Sequence, residues 1–369
     1  MFVGLAVIVA WMLIRGVFAA DVAGSMGEVV RVVAGCMIPY AAISRTVSDR
    51  ADLKYVLKWL LSGSLFASLF GLYQLTAFYV GLPQLVAYDA TSGGHGRISA
   101  FTYEASSFIS VVLVGVAALA ALISAEYEIK WAWAWASILA VTAVLANART
   151  LFVEIPFFVA FGSPLGQSPR LRRFATPAIC IATLAGVTFV LLNPGFVAFV
   201  HQQFLSVFNP NEASSNARRL TQYRVTRTLI AQNPIFGIGP GNLYHVLAGN
   251  NYGVFDGDSY STVVVNDMWL QAWLDGGIIL LAATSVFVLL VMSAWAKSRR
   301  NPVARPVFGV WIAMTLGAGL VGSNFFETSR WVVLAIAGCC ASVYSLRGGA
   351  NVTACDDRRH LAGIGDSSS

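Results

Sequence analysis

Charged side chains are scarce in this chain: Asp, Glu, Lys and Arg make up 11% of its 369 residues, where a soluble domain holds about a quarter. That shortage excludes a water-covered globular surface. Cysteine is rare as well. Cys36, Cys180, Cys339, Cys340 and Cys355 are odd in number, and four of them lie in apolar stretches, so no disulfide framework or zinc site follows. The histidines His95, His201, His245 and His360 are scattered along the chain. No internal repeat is visible. No cofactor and no nucleic-acid partner is expected.

What the chain has in quantity is apolar surface. Hydrophobic types reach 57% and the mean hydropathy is +0.69. They fall into blocks of about 18–25 residues, the length that crosses roughly 30 Å of hydrocarbon. The composition therefore predicts an all-α, polytopic membrane protein. Phe2 to Ala20 is apolar apart from Arg15 and lacks the basic start and small-residue cleavage site of a signal peptide. It reads as a first span, which leaves open a start further upstream.

Ten spans are expected, over residues 2–20, 29–44, 59–82, 107–124, 131–148, 150–162, 174–192, 267–296, 307–324 and 331–346. The sixth is short and contains Glu154 and Pro156, which neighbouring helices can accommodate. Basic residues concentrate on the cytoplasmic side of membrane proteins. With both termini in the cytoplasm, most of the 24 basic residues fall on that side, among them Arg45, Arg50, Lys54, Lys58, Arg173, Lys297, Arg299, Arg300 and Arg305. Merging 131–162 into one span would move the basic loops 163–173 and 297–305 to the outside, so two spans with Arg149 at their outer tip are favoured.

The chain then divides into seven spans over 1–192, a large extracytoplasmic loop over 193–266, three spans over 267–346 and a polar, disordered cytoplasmic tail over 347–369. A loop as long as 193–266 is functional or disordered in most compact proteins. Asn209 to Ser215 reads as a turn and cap, followed by a helix to about Gln232. Asn233-Pro234 stops that helix, and Gly237, Gly239, Pro240 and Gly241 form a tight turn.

Polar and ionisable residues at spans are costly and mark function by default. Most gather on the outer side: His95, Arg97 and Glu104 before the fourth span, Arg149 at the tip, Arg218, Arg219, Arg224, Arg227 and His245 in the large loop, Asn266 and Asp267 at the eighth span, and Glu327 and Arg330 between the last two.

Three stretches among these residues resemble one family. Arg218-Arg219-Leu220, followed by Gln232-Asn233-Pro234-Ile235-Phe236-Gly237-Ile238-Gly239-Pro240-Gly241-Asn242, looks like the signature of the O-antigen ligase and polysaccharide polymerase superfamily. There an Arg-bearing helix precedes a turn of Pro, two hydrophobic residues and Gly-x-Gly-x-Gly. Asn266-Asp267-Met268-Trp269-Leu270, then Asp275-Gly276-Gly277, is similar to the span start that follows. Arg97 with Phe101 to Ser107 is similar to a motif of exopolysaccharide polymerases, and Arg149 matches an Arg that begins a span. Two positions depart from the pattern. Asn266 stands where the ligases have His, which tilts the reading toward a polymerase, and Ala105 stands where Pro is expected.

The resemblance implies a membrane-embedded glycosyltransferase bundle of the GT-C-like type and metal-independent, inverting transfer from a polyprenyl-diphosphate-linked oligosaccharide. The site would lie at the outer face of a bacterial inner membrane, with membrane lipid, a chain-length regulator and a flippase as further partners. Negative charge builds on the departing diphosphate, so prepositioned cations lower the barrier, and the planar arginine fork suits phosphate. The resemblance assigns Arg97, Arg149, Arg218, Arg219, Arg227, His245 and Asn266 to diphosphate or glycan binding. Glu104 or Asp267 would take the acceptor proton.

Plainer readings stand beside these. Glu104 suits a helix amino end without catalysis, Asn266 and Asp267 suit capping, and Arg149 suits an interfacial anchor. The glycine turn also reads simply as a turn, Arg15, Glu154 and Asp275 as structural partners inside the bundle, and Trp131, Trp133 and Trp135 as an interfacial belt. A glycan ligase, a transporter of lipid-linked glycan and an inactive chain of the same fold are the rival functions.

Overall fold

The computed structural model describes residues 1–83, 85, 91–92, 95–96, 98–102, 105–146, 148, 150–163, 169–192, 214–249, 265, 267–317, 319 and 326–344. These residues are helical almost throughout. In chain order the elements are α1 (Phe2–Val17), α2 (Val22–Val32), a π-turn at Val33–Met37, α3 (Ile38–Thr46), α4 (Arg50–Val80), α5 (Ala105–Ser124), α6 (Ala132–Leu145), α7 (Leu151–Gly162) and α8 (Pro169–Leu192). There follow α9 (Ser214–Gln232), α10 (Leu243–Gly249), α11 (Met268–Ser298), α12 (Ala304–Ile312) with a π-turn at Ala313–Gly317, and α13 (Thr328–Tyr344). The extended pairing among the described residues is one short antiparallel contact, Thr91–Ser92 against His95–Gly96.

Each apolar block expected to be a span contains helix among its described residues. Among the described residues, four helices are long and apolar enough to cross a membrane: Val22–Thr46, Arg50–Val80, Ser107–Ser124 and Met268–Ser298, with 25, 31, 18 and 31 residues. Phe2–Val17, Ala132–Leu145, Val153–Gly162, Ala175–Leu184 and Thr328–Tyr344 are apolar but shorter.

Local chemistry sets the boundaries. The Asp21 carboxylate accepts from the Gly24 N–H at the start of α2, and Asp49 accepts from Ala51 and Asp52 at 2.7 and 2.9 Å at the start of α4. Both are N-caps that satisfy donors left orphaned by the first turn. The residues between Leu145 and Leu151 separate α6 from α7, as the charge pattern required. The two helices find different neighbours, α6 packing on α8 and α7 on α12.

The main core joins α1 to α7 with α11, α12 and α13 and includes large rings, while Leu229, Ile230, Ile238, Leu243, Leu247, Val265 and Leu274 form a second, smaller cluster around α9 and α10. Trp311 and Trp331 are about 1% exposed and both meet Phe287. Small residues bring helices together. A Cβ on Gly309 would lie 2.0 Å from the Gly162 Cα, so α12 and α7 touch backbone to backbone. Without a hydrophobic force between helices, such close packing is what holds a bundle in lipid. The outward faces stay apolar: Trp59, Phe66, Leu184, Leu191 and Leu289 are each more than 60% exposed. Exposed apolar surface on this scale marks an interaction with something other than water.

Candidate functional site

The glycine-rich turn after α9 and the first third of α11 form one interlocked unit. Gly237, Gly239 and Gly241 have φ of 68°, 100° and 69°, a region that side chains other than glycine rarely enter. The turn they make is pressed into a break in α11. There Gly277 has φ 68° and ψ −165°, and a Cβ on it would lie 1.9 Å from the Ile235 carbonyl oxygen. Breaking a helix frees backbone groups, and four of them find partners across the interlock. The Leu274 carbonyl accepts from Ile238 N–H at 2.8 Å and the Asp275 carbonyl from Gly239 N–H at 3.0 Å. Trp11 Nε1 donates to the Gly276 carbonyl at 2.8 Å, and Ile278 N–H donates to the Pro234 carbonyl at 3.0 Å. Buried backbone groups demand this accounting.

The turn is also tied to the first two helices. Arg15 donates from Nε to the Phe236 carbonyl at 2.7 Å and from Nη2 to the Gly237 carbonyl at 3.0 Å. Asn242, 1% exposed, accepts from the Asp21 N–H at 2.8 Å and donates to the Ser25 hydroxyl, which itself donates to the Pro240 carbonyl at 2.6 Å. Arg31 donates to the Glu28 carboxylate from Nε, at 2.8 Å, and from Nη2, and Glu28 packs under Gly241. Arg15 is therefore a structural cation, as its place inside an apolar span suggested.

Two further polar groups are buried in the bundle. In α11, Asp275 Oδ2 accepts from Gln271 Nε2 at 2.6 Å, while Oδ1 has no partner at hydrogen-bonding geometry among the described residues. The second group lies between α5, α7 and α13. Glu154 is fully buried, and its Oε2 lies 3.4 Å from the Ser110 hydroxyl, with Oε1 unpartnered among the described residues. Arg330 is 1% exposed; its Nη1 is 3.9 Å from the Met268 sulfur and its Nε 3.9 Å from Glu327 Oε2. Glu154 and Arg330 are opposite charges buried in the same bundle, with no ion pair within 4.0 Å between them. The sequence placed Arg330 in an outer turn. Its burial comes from α13 beginning two residues earlier and carrying it into the bundle, and no local signal announces that.

The residues expected to form the site divide as follows. Asp267 is the N-cap of α11: its Oδ1 accepts from Trp269 and Leu270 N–H at 2.8 and 3.0 Å, leaving Oδ2 outside the cap. Arg224 and Arg227 are exposed on α9, and His245 is exposed on α10. Arg218 and Arg219 lie in the first turns of the same helix as Arg224 and Arg227. Arg97, Glu104, Arg149 and Asn266 lie outside the described residues, as do the boundaries of the large loop over 193–213 and 250–264 and the tail. Asp256-Gly257-Asp258 is an Asp-x-Asp pair in that loop, a spacing able to offer oxygen ligands to a divalent cation. Metal independence therefore rests on the resemblance alone.

No protein family model and no curated protein matches this chain.

Proposed function

We propose that the chain is a multi-spanning membrane glycosyltransferase that extends polyprenyl-diphosphate-linked oligosaccharide. The supporting observation is the interlock of the two signature stretches. Residues 233–242 and 267–278 lie apart in sequence yet dock through glycines that tolerate no side chain. A signature whose parts meet in space is better support than one whose parts only recur along the chain. The interlock also bears on where a site would lie: the Asp267 cap, the docked turn and Arg330, whose Nη1 is 3.9 Å from the Met268 sulfur, all meet the first third of α11.

In this reading an acceptor hydroxyl attacks the anomeric carbon as the bond to the lipid diphosphate breaks. The proton passes to Glu104 or to the free oxygen of Asp267, and Arg149, Arg218 and Arg219 take the charge on the leaving diphosphate. Ten spans, both termini on the cytoplasmic side and residence in a bacterial inner membrane belong to the same proposal. One observation favours the transport reading: Glu154, Asp275 and Arg330 are all buried inside the bundle, as ionisable residues of transporters are.

The test is glycan chain length in cells whose single copy is wild type, Arg149→Ala, Arg219→Ala or Glu104→Gln at matched protein levels. The variants are expected to accumulate single lipid-linked repeats while wild type makes long chains. Wild-type chains from all three variants would sink the site, and loss of surface-exposed lipid-linked repeat would point to transport.

A further inference from the structure

We infer that residues 234–237 form a loop immersed in the bilayer, with Ile235 and Phe236 facing hydrocarbon. Four observations carry this. Ile235 and Phe236 are 54% and 53% exposed although they lie outside any helix. Their neighbours on both sides are exposed and apolar: Ile14, Val17 and Phe18 at 50%, 55% and 73% on α1 and its carboxyl end, and Ile278 and Ile279 at 45% and 38% on α11. The apolar surface runs past the turn to Phe18, so the hydrocarbon boundary lies beyond it. Polar exposure begins abruptly at Gln232 and Asn233.

The backbone of the loop is the fourth observation. Irregular backbone survives at bilayer depth only when its polar groups are satisfied by protein, and three of the four carbonyls of residues 234–237 have protein donors. The Pro234 carbonyl accepts from Ile278 N–H and Trp273 Nε1, both at 3.0 Å. Arg15 supplies the Phe236 and Gly237 carbonyls, and its guanidinium lies 5.9 Å from the Phe236 ring centre. At a wet surface, water would serve those carbonyls and no cation would be needed. The partner is therefore the acyl region of the membrane, and Arg15 stands in for water. The inference rests on the chain spanning a membrane and is independent of the glycosyl-transfer reading.

Single cysteines at Ile235→Cys, Phe236→Cys, Thr228→Cys and Leu289→Cys, in a background with Cys180→Ser and Cys355→Ser, test it in lipid nanodiscs. A charged, membrane-impermeant maleimide is expected to label residues 235 and 236 about tenfold or more slower than residue 228, because thiolate does not form in hydrocarbon. An environment-sensitive fluorophore at 235, 236 or 289 is expected to be quenched by doxyl-labelled lipid, and one at 228 is not. Labelling of 236 as fast as 228 overturns the inference. Slow labelling without lipid quenching overturns it as well, because protein would then cover the pair. Arg15→Leu should raise labelling at 235, and Arg15→Lys should restore part of the protection.

Discussion

Gly277 is the point where the interlock is most sensitive, so Gly277→Ala is the sharpest test of it. The added Cβ would meet the Ile235 carbonyl oxygen at 1.9 Å, its carbon at 2.2 Å and Phe236 N at 2.5 Å. None of these is the end of a flexible side chain. If the turn holds its place, alanine must also adopt φ 68°, ψ −165°, a glycine region costing about 1–3 kcal/mol. If the turn moves away, the bonds Ile238 to Leu274, Gly239 to Asp275 and Ile278 to Pro234 are lost. At about 0.5–1.5 kcal/mol each they amount to roughly 1.5–4.5 kcal/mol. With backbone atoms at 1.9–2.5 Å the turn must give way, so the expected loss is about 1.5–4.5 kcal/mol. Gly63→Ala is the control: it sits inside α4 with nothing within 4 Å of the place a Cβ would take, and helix propensity predicts a gain of up to about 1 kcal/mol. Tryptophan-monitored unfolding in detergent reports the difference, because Trp11 and Trp273 both bond to the interlock. Equal stability of the two variants would refute the account of the turn.

Two other sets of substitutions separate roles that coincide in one residue or one pair. Asp267→Asn keeps a cap and removes the charge, while Asp267→Ala removes both. If capping is the whole role, Asn retains wild-type glycan length and stability, and Ala loses about 0.5–2 kcal/mol; short glycan from a stable Asn variant would instead assign Asp267 to chemistry. For the buried charges, Glu154→Gln and Arg330→Met should each destabilise, and the double variant should lose less than the sum by about 0.5–3 kcal/mol. Additivity in an unfolding double-mutant cycle would mean that the two groups do not interact.

Much of the helical layout was legible because hydrocarbon imposes a length and a composition on each block, and both survive in a linear string. The separation of α6 from α7 followed from charge placement, and the stop at Asn233-Pro234 followed from backbone chemistry that acts over a few residues. The cap at Asp267 was legible for the same local reason. Burial of Arg330, by contrast, depends on α5, α7 and α11 meeting around it, and nothing within several residues of position 330 encodes that meeting. Arg15 was readable as a structural cation, but its partners lie more than 220 positions away in the turn it supports. The glycines illustrate the division most clearly. Their spacing in the sequence marks a tight turn, since only glycine enters those dihedrals cheaply. That the turn exists to fill a break in α11 was decided by the tertiary structure, where two backbones approach so closely that neither can carry a side chain.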